Sequence, residues 1–352
     1  MKTLIHFLSI ILSGILLAAC GSTTPLQILQ PAEMSIPDHI EVIATVDRSK
    51  PEKGWLGVLE GAVTGENIGQ DPAGRRSAVD GLNNALTRTP RFTVKTTGIE
   101  LTGSKDGGHM AAPLPWSEIE SICSRYDADA VVTIEHYDSD NMLSTRTSTE
   151  KSKDKDGKEI IRQVFNTDRR VSVTMGWRLY DPKNRVIMDE HVTRQETNNS
   201  GRGYSEQAAL NDLPDQERIV RDVSYQAGVV YGMRIAPVWV NVNRTFYKKG
   251  KGKNNATSQM EKAGRHAQSG EWDKAAEIWR AISQNAPDEK TGGMAAINMA
   301  VANEREGKLN YALEWAQKAY SQFGFKPARN YIRTLEQRIN DQNKLNMQLK
   351  RP

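Results

Sequence analysis

Leu17-Ala18-Ala19 stands directly before Cys20, and this order presents a thiol for acylation. It has the form of a lipobox, in which the cysteine is lipidated and becomes residue one of the mature chain. The segment before it fits. Lys2 supplies an early charge, and Leu4 to Leu17 is almost unbroken apolar sequence. A charged start, a short apolar centre and small residues before the cut mark a bacterial export signal. The centre falls short of the roughly 20 residues that a comfortable membrane span needs. Residues 1–20 are therefore expected to be a lipoprotein signal peptide, with palmitate-type acyl chains on Cys20 as the membrane attachment. The alternatives are an ordinary signal sequence ending near a cysteine, or an uncleaved anchor.

The other residues that could do chemistry are scattered. The histidines, His6, His39, His109, His136, His191 and His266, show no His-Glu-x-x-His or paired spacing, so no metal or cofactor is expected. No Gly-x-Ser-x-Gly elbow accompanies them, and the chain is not expected to be an enzyme. Asp154 to Glu159 has a faint likeness to a calcium loop but lacks the spaced oxygen ligands and the distal glutamate. Asp156-Gly157 reads instead as a hairpin tip. The glycine-rich loop Gly54–Gly74 lacks the Gly-Lys-Ser/Thr ending of a phosphate loop. It packs on its own domain, or it is a partner-binding lid whose exposed Trp55, Leu56 and Leu59 make the contact. If Cys20 carries lipid, Cys123 is left alone and no intrachain disulfide forms. Its neighbours Trp116, Ile119, Ile122 and Tyr126 keep helical spacing, so it reads as a small buried residue.

The 352 residues leave room for two domains after the signal. A formal net charge of only +4 gives no ground for nucleic acid as a partner. Charged residues at 26% and hydrophobics at 38% indicate a globular chain. Residues 21–37 hold three prolines and no periodicity, and they read as a tether. By resemblance to enterobacterial sorting rules, Gly21 after the cysteine implies the outer membrane, on its periplasmic face.

The elements that must carry these residues begin near Asp38. Ile40, Val42, Ala44 and Val46 alternate with Glu41 and Thr45, which predicts a strand. Ala78, Leu82, Ala85 and Leu86 keep helical spacing until Pro90. A strand begins at Phe92-Thr93-Val94, a helix spans Trp116–Tyr126, and Ala130–Tyr137 is a strand buried on both faces. Val171, Val173, Met175, Trp177 and Leu179 alternate with polar residues, and Asp181-Pro182-Lys183-Asn184 turns the chain into a partner strand over Val186–Thr193. Ile219, Val220, Val223, Ala227, Val230 and Tyr231 line one face of a long helix. Val238, Val240 and Val242 form a last strand. Residues 38–247 are thus expected to be an α+β domain, a mixed β-sheet with helices packed on it.

Three pieces carry a resemblance: Ile40–Asp47, Pro90-Arg91-Phe92-Thr93-Val94, and Tyr126-Asp127-Ala128-Asp129-Ala130-Val131-Val132. Together they resemble the domain of the curli secretion lipoprotein, of the lipoprotein activators of penicillin-binding proteins, and of the amino-terminal part of the Tol-system propeller protein. The whole chain resembles bacterial lipoproteins with repeats at the carboxyl end.

Lys248-Lys249-Gly250-Lys251-Gly252-Lys253 reads as a solvated basic linker over 248–255. Beyond it the period becomes helix–turn–helix. Ala263, Gly270, Trp272, Ala275, Trp279 and Pro287 match tetratricopeptide framework positions, and Ala300, Gly307 and Ala312 begin a second copy. Gly270 to Gly307 is 37 residues, against a usual period of about 34. Residues 256–350 are expected to be an all-α, tetratricopeptide-like module ending in a capping helix; a plain helical bundle is the alternative. Its concave face would bind other envelope proteins through Arg265, Asn298 and Asn303. The function expected is a lipid-anchored scaffold or adaptor in an envelope assembly. An oligomeric secretion-channel component is the alternative, and an envelope hydrolase ranks below both. The sequence gives no small-molecule ligand.

Overall fold

The computed structural model describes residues 21–50, 70–103, 109–153 and 155–349. Its strands are β1 (Gly21–Gln30), β2 (Val42–Lys50), β3 (Thr93–Thr102), β4 (Ala130–Lys153), β5 (Glu159–Asp181), β6 (Val186–Gly203) and β7 (Val238–Tyr247). Its helices are α1 (Gln70–Thr87), α2 (Trp116–Tyr126), α3 (Glu206–Asn211), α4 (Gln216–Ile235), α5 (Asn255–Gln268), α6 (Trp272–Gln284), α7 (Glu289–Arg305), α8 (Leu309–Ser321) and α9 (Ala328–Gln348). They form two compact units, one of residues 32–238 and one in which 21–31 join 239–347.

The first unit is built on a sheet of order β3-β2-β4-β5-β6. β2 is parallel to both β3 and β4, while β4, β5 and β6 run antiparallel. β2 is buried on both sides, as a central parallel strand must be: Ile43 and Ala44 are both fully enclosed. The expected half-solvated alternation from Glu41 and Thr45 is therefore replaced by two apolar faces. On one face Ile43, Val132 and Trp177 meet α1 and α4. On the other, Ala44, Val46 and Val131 meet Ile119, Ile122 and Cys123 of α2. Trp177 stacks on Tyr231 of α4, centroids 4.6 Å apart and planes within 5°. Glycine lets α1 and α4 touch backbone to backbone: a Cβ on Gly228 would stand 2.0 Å from the Ala78 carbonyl oxygen.

β4 and β5 extend far past this core. β2 meets β4 only through Ala130 to Ile134, yet β4 runs 24 residues, about 80 Å. Its register with β5 is unbroken from His136↔Gly176 to Lys153↔Glu159. The outer halves of β4, β5 and β6 form a ribbon. From Leu143 to Thr149, β4 is exposed on both faces. α3 covers the end of β6, where a Cβ on Gly201 would stand 2.2 Å from the Ala209 oxygen.

The second unit pairs β1 with β7 and surrounds them with α5 to α9. Three expectations change here. The strand over 238–247 pairs with β1 rather than completing the large sheet, because Phe246 is enclosed by Trp272 and Trp279. Residues 21–37, expected as a tether, contain β1. The basic segment over 248–255 is fastened to α7: the Lys251 amide donates to Thr291 Oγ1 at 2.9 Å, and a Cβ on Gly250 would meet the Thr291 methyl at 2.8 Å.

The helical hairpins α5–α6 and α7–α8 repeat one another bond for bond at an offset of 37 residues. Gly270 donates to the Ala267 carbonyl, and Gly307 to that of Glu304. Glu271 donates to His266, and Lys308 to Asn303. Both glycines take positive φ, +86° and +74°, which a side chain would strain. Trp272 and Leu309, Ala275 and Ala312, and Trp279 and Ala316 are equivalent buried pairs.

Candidate functional site

The residues expected to bind a partner are not brought together. Arg265 is exposed on α5. Asn298, expected on an open concave face, is fully buried on α7. Its Nδ2 donates to the Tyr247 carbonyl and its Oδ1 accepts from the Tyr247 amide, both at 2.7 Å. Asn303 is half-buried, and its Nδ2 donates back to the Met299 carbonyl of its own helix. The reason is steric: α7 is enclosed from Thr291 to Ala302, with β7 laid against it. Of the framework residues, Ala263, Ala275, Trp279, Ala300 and Ala312 are enclosed and Trp272 nearly so, with the Arg305 guanidinium 4.9 Å over its ring. Pro287 is exposed, just before the Asp288 cap of α7. Cys20, Trp55, Leu56 and Leu59 lie outside the described residues.

The site the sequence did not reveal lies where β7, α7 and α9 meet. Glu304 of α7 is wholly buried. Arg244 of β7 clasps it with two bonds, Nε to Oε2 at 2.7 Å and Nη2 to Oε1 at 2.9 Å. Tyr331 of α9 donates to Glu304 Oε2 at 2.6 Å, and Arg338 approaches Oε1 at 3.9 Å. Burial alone would lower the Arg244 pKa, but the hydrogen bond and charge of Glu304 outweigh it and raise the group above its ordinary value. Burial lowers Arg338, and its neighbour Arg244 adds to that, against the pull of Glu304. Burial, then the Glu304 charge, raises the Tyr331 phenol. Two guanidiniums thus share one carboxylate at low solvent exposure, and Arg338 Nη1 is buried without a hydrogen-bond partner. Beside this cluster opens a cavity of about 260 Å³, lined by Asn243, Arg244, Thr245 and Tyr247 of β7, Ile297 of α7, and Pro327, Asn330, Tyr331 and Thr334 at α9. No sequence signal marks it, because a Glu in a helix and an Arg in a strand read as solvated residues.

The first unit holds a second buried carboxylate. Glu135 of β4 is fully enclosed, 2.8 Å from Arg48 Nη1 and 3.1 Å from Arg178 Nη1. Thr133 and Tyr180 donate to its other oxygen at 2.6 and 3.0 Å. Arg178 also donates to Glu190 at 2.6 Å, so here two arginines meet two carboxylates. The same arginines hold the segment 111–112 through its carbonyls, Arg48 to Ala112 at 2.7 Å and Arg178 to Ala111 at 2.6 Å. This cluster reads as a fastening: its donors and acceptors face one another rather than a cavity. The histidines remain dispersed. His39 bonds Asp181 and His266 bonds Glu271, and among the described residues no group of three His, Cys, Asp or Glu could hold a metal.

The family described as "Domain of unknown function (DUF8603)" matches residues 40–247. That described as "Domain of unknown function (DUF6340)" matches residues 261–337. No curated protein matches the chain. Among solved structures, a candidate lipoprotein from Caulobacter crescentus CB15 is 12% identical with a TM-score of 0.22, covering 54% of this chain and 85% of its own. The PelC dodecamer from Paraburkholderia phytofirmans is 13% identical with a TM-score of 0.21, covering 61% and 99%. Likenesses of this size carry no argument about fold or function.

Proposed function

We propose that this chain, which belongs to the family described as Domain of unknown function (DUF8603), is a lipid-anchored envelope protein that binds other proteins. The observation that carries the first half is Leu17-Ala18-Ala19-Cys20 at the end of a short apolar run. Acyl chains on Cys20 supply the attachment; among the described residues no helix is long and apolar enough to cross a membrane. The outer membrane, on its periplasmic face, is the proposed location, from Gly21 after the cysteine. Replacing Cys20 by serine tests the anchor: the processed variant is expected in the soluble fraction, and normal membrane fractionation of it refutes lipid attachment.

The scaffold role rests on the ribbon. Strands this long are not needed to complete a core, and Met142, Leu143, Ile161 and Tyr204 are exposed along it. The ribbon takes over the binding role that Asn298 cannot perform. The paired hairpins α5–α6 and α7–α8 are proposed as a short tetratricopeptide-like array whose inner face is already filled by β7. The likeness to the curli and activator lipoproteins rests on element order and on the turn at Asp127, which takes φ +52° before Asp129 accepts from the amides of Glu41 and Val42. The secretion-channel alternative gains nothing from the ribbon. A membrane strand needs one apolar face over about 9 to 11 residues. Here Ser144, Arg146, Ser148 and Glu150 lie on one face and Thr145, Thr147, Thr149 and Lys151 on the other. Removing residues 149–163 and joining the paired Ser148 and Val164 through Asn-Gly is expected to leave the protein folded and to weaken crosslinks to envelope proteins. Unchanged crosslinks remove the ribbon tip, with Ile161, from the proposal.

A further inference from the structure

We infer that the cavity beside Arg244 is a binding site for a carboxylate bearing a small apolar group, either a free acid or the carboxyl end of a polypeptide. Arg244 and Arg338 are mostly buried and share the single carboxylate of Glu304, which is wholly enclosed. Asp341 also draws on Arg338, so the charge that faces the cavity is that of Arg244, fixed at its wall by the fork on Glu304. A bound anion would meet that guanidinium directly.

The geometry indicates where. Arg244 spends Nε and Nη2 on Glu304. Its Nη1 makes only a 3.3 Å bond to the adjacent Asn243 carbonyl, which leaves donor capacity on a residue that lines the cavity. The guanidinium is held rigid by its fork on Glu304, so little freedom is lost when it accepts a ligand. The rest of the wall divides by chemistry. Asn243, Asn330 and Thr334 offer amide and hydroxyl groups, while Ile297, Pro327 and the Tyr247 ring offer apolar surface. The wall is thus mostly polar, with a confined apolar patch at Ile297 and Pro327, which fits a charged head carrying a small apolar group. The volume, about 260 Å³, suits a residue-sized acid rather than a drug-sized molecule.

The site is independent of the lipid anchor and of the ribbon, so it stands or falls separately from the reading above. The test is calorimetric titration of the full mature chain with N-acetylvaline, its amide N-acetylvalinamide, acetate, the tripeptide Ala-Ala-Val, and inorganic phosphate. Saturable binding of N-acetylvaline, at least tenfold tighter than its amide, is expected. Preference for Ala-Ala-Val over N-acetylvaline identifies a polypeptide end as the ligand, and the reverse a free acid. Asn330→Asp places a carboxylate at the cavity wall and is expected to weaken N-acetylvaline binding at least tenfold, with circular dichroism unchanged. If that variant does not fold, Thr334→Val replaces it, with a weakening of several-fold expected. Equal binding of acid and amide, no heat from any carboxylate at millimolar concentration, phosphate binding as tight as N-acetylvaline, or unaltered affinity in the folded variant each overturns the inference.

Discussion

Asn298 holds Tyr247 as one strand holds another: a single side-chain amide serves both the amide and the carbonyl of one strand residue. This clamp fastens β7 to α7. Replacing Asn298 by alanine takes the partner from two half-buried backbone groups, and a loss of about 1–3 kcal/mol in urea unfolding is expected. Asn298→Asp loses the donor and buries a charge, so it should cost more. A loss under about 0.5 kcal/mol for the alanine variant would show that the clamp contributes little.

Trp279 is fully enclosed, whereas Trp272 keeps a solvated edge under Arg305. Trp279→Ala is expected to destabilise by about 3–5 kcal/mol and Trp272→Ala by less. Equal losses would contradict that ranking. At the two hairpin turns, Gly270→Ala and Gly307→Ala should cost about 1–2 kcal/mol each, and by similar amounts because their backbones match.

Cys123 lies between α2 and the sheet. Burial first, then the charges of Asp129 and Asp181, push its thiol up to about 11. At pH 8 only about one thiolate in a thousand follows from that value. In a Cys20→Ser chain, native protein should react with a disulfide reagent only as it unfolds, and rapid labelling without urea would refute the packing of α2.

Glu271 is expected to titrate near pH 2. The hydrogen bond from Lys274, then that from His266, lowers its carboxyl to about 2. A depressed carboxylate favours the folded state above its unfolded pKa, and the contribution fades as pH falls towards 2. The group is exposed, so the effect is read by carbon-13 NMR of the carboxyl rather than by stability. A midpoint near 4.5 would mean that the Lys274 and His266 bonds do not form in solution.

A chain cut after Tyr247 retains Phe246 without Trp272 and Trp279, which enclose it. The fragment 32–238 should therefore fold and remain monomeric in ultracentrifugation, while 38–247 should bind a hydrophobic dye and associate. Identical behaviour of the two fragments would return β7 to the sheet domain.

Much of the large sheet was legible. The alternation from Val171 to Leu179 names one face of β5, and Trp116–Tyr126 and the Asp181–Asn184 turn match the sequence reading. What was hidden has a physical cause. Past Tyr137, β4 carries Ser, Thr and charge on both faces, so no period of two survives to mark a strand. β1 is short on apolar residues for the same reason. Glu135 and Glu304 are buried only because arginines distant in sequence meet them, a pairing no local pattern records. That small residues would let the helices of the second unit approach closely was legible, and Ala263, Ala275, Ala300 and Ala312 are enclosed. That β7 would fill the inner face was not, since nothing in Asn298 distinguishes a clamp from a solvated amide.

β1 begins at Gly21, the residue after position 20. A flexible leash over 21–37 would give a root-mean-square stand-off of about 20 Å. With lipid on Cys20, that slack is gone: the strand paired with β7 starts where the acyl chains end. The helical unit is then moored at the headgroups instead of drifting above them. Anything that engages it must work within the bilayer's own electrostatic layer, or arrive there already attached to the same leaflet.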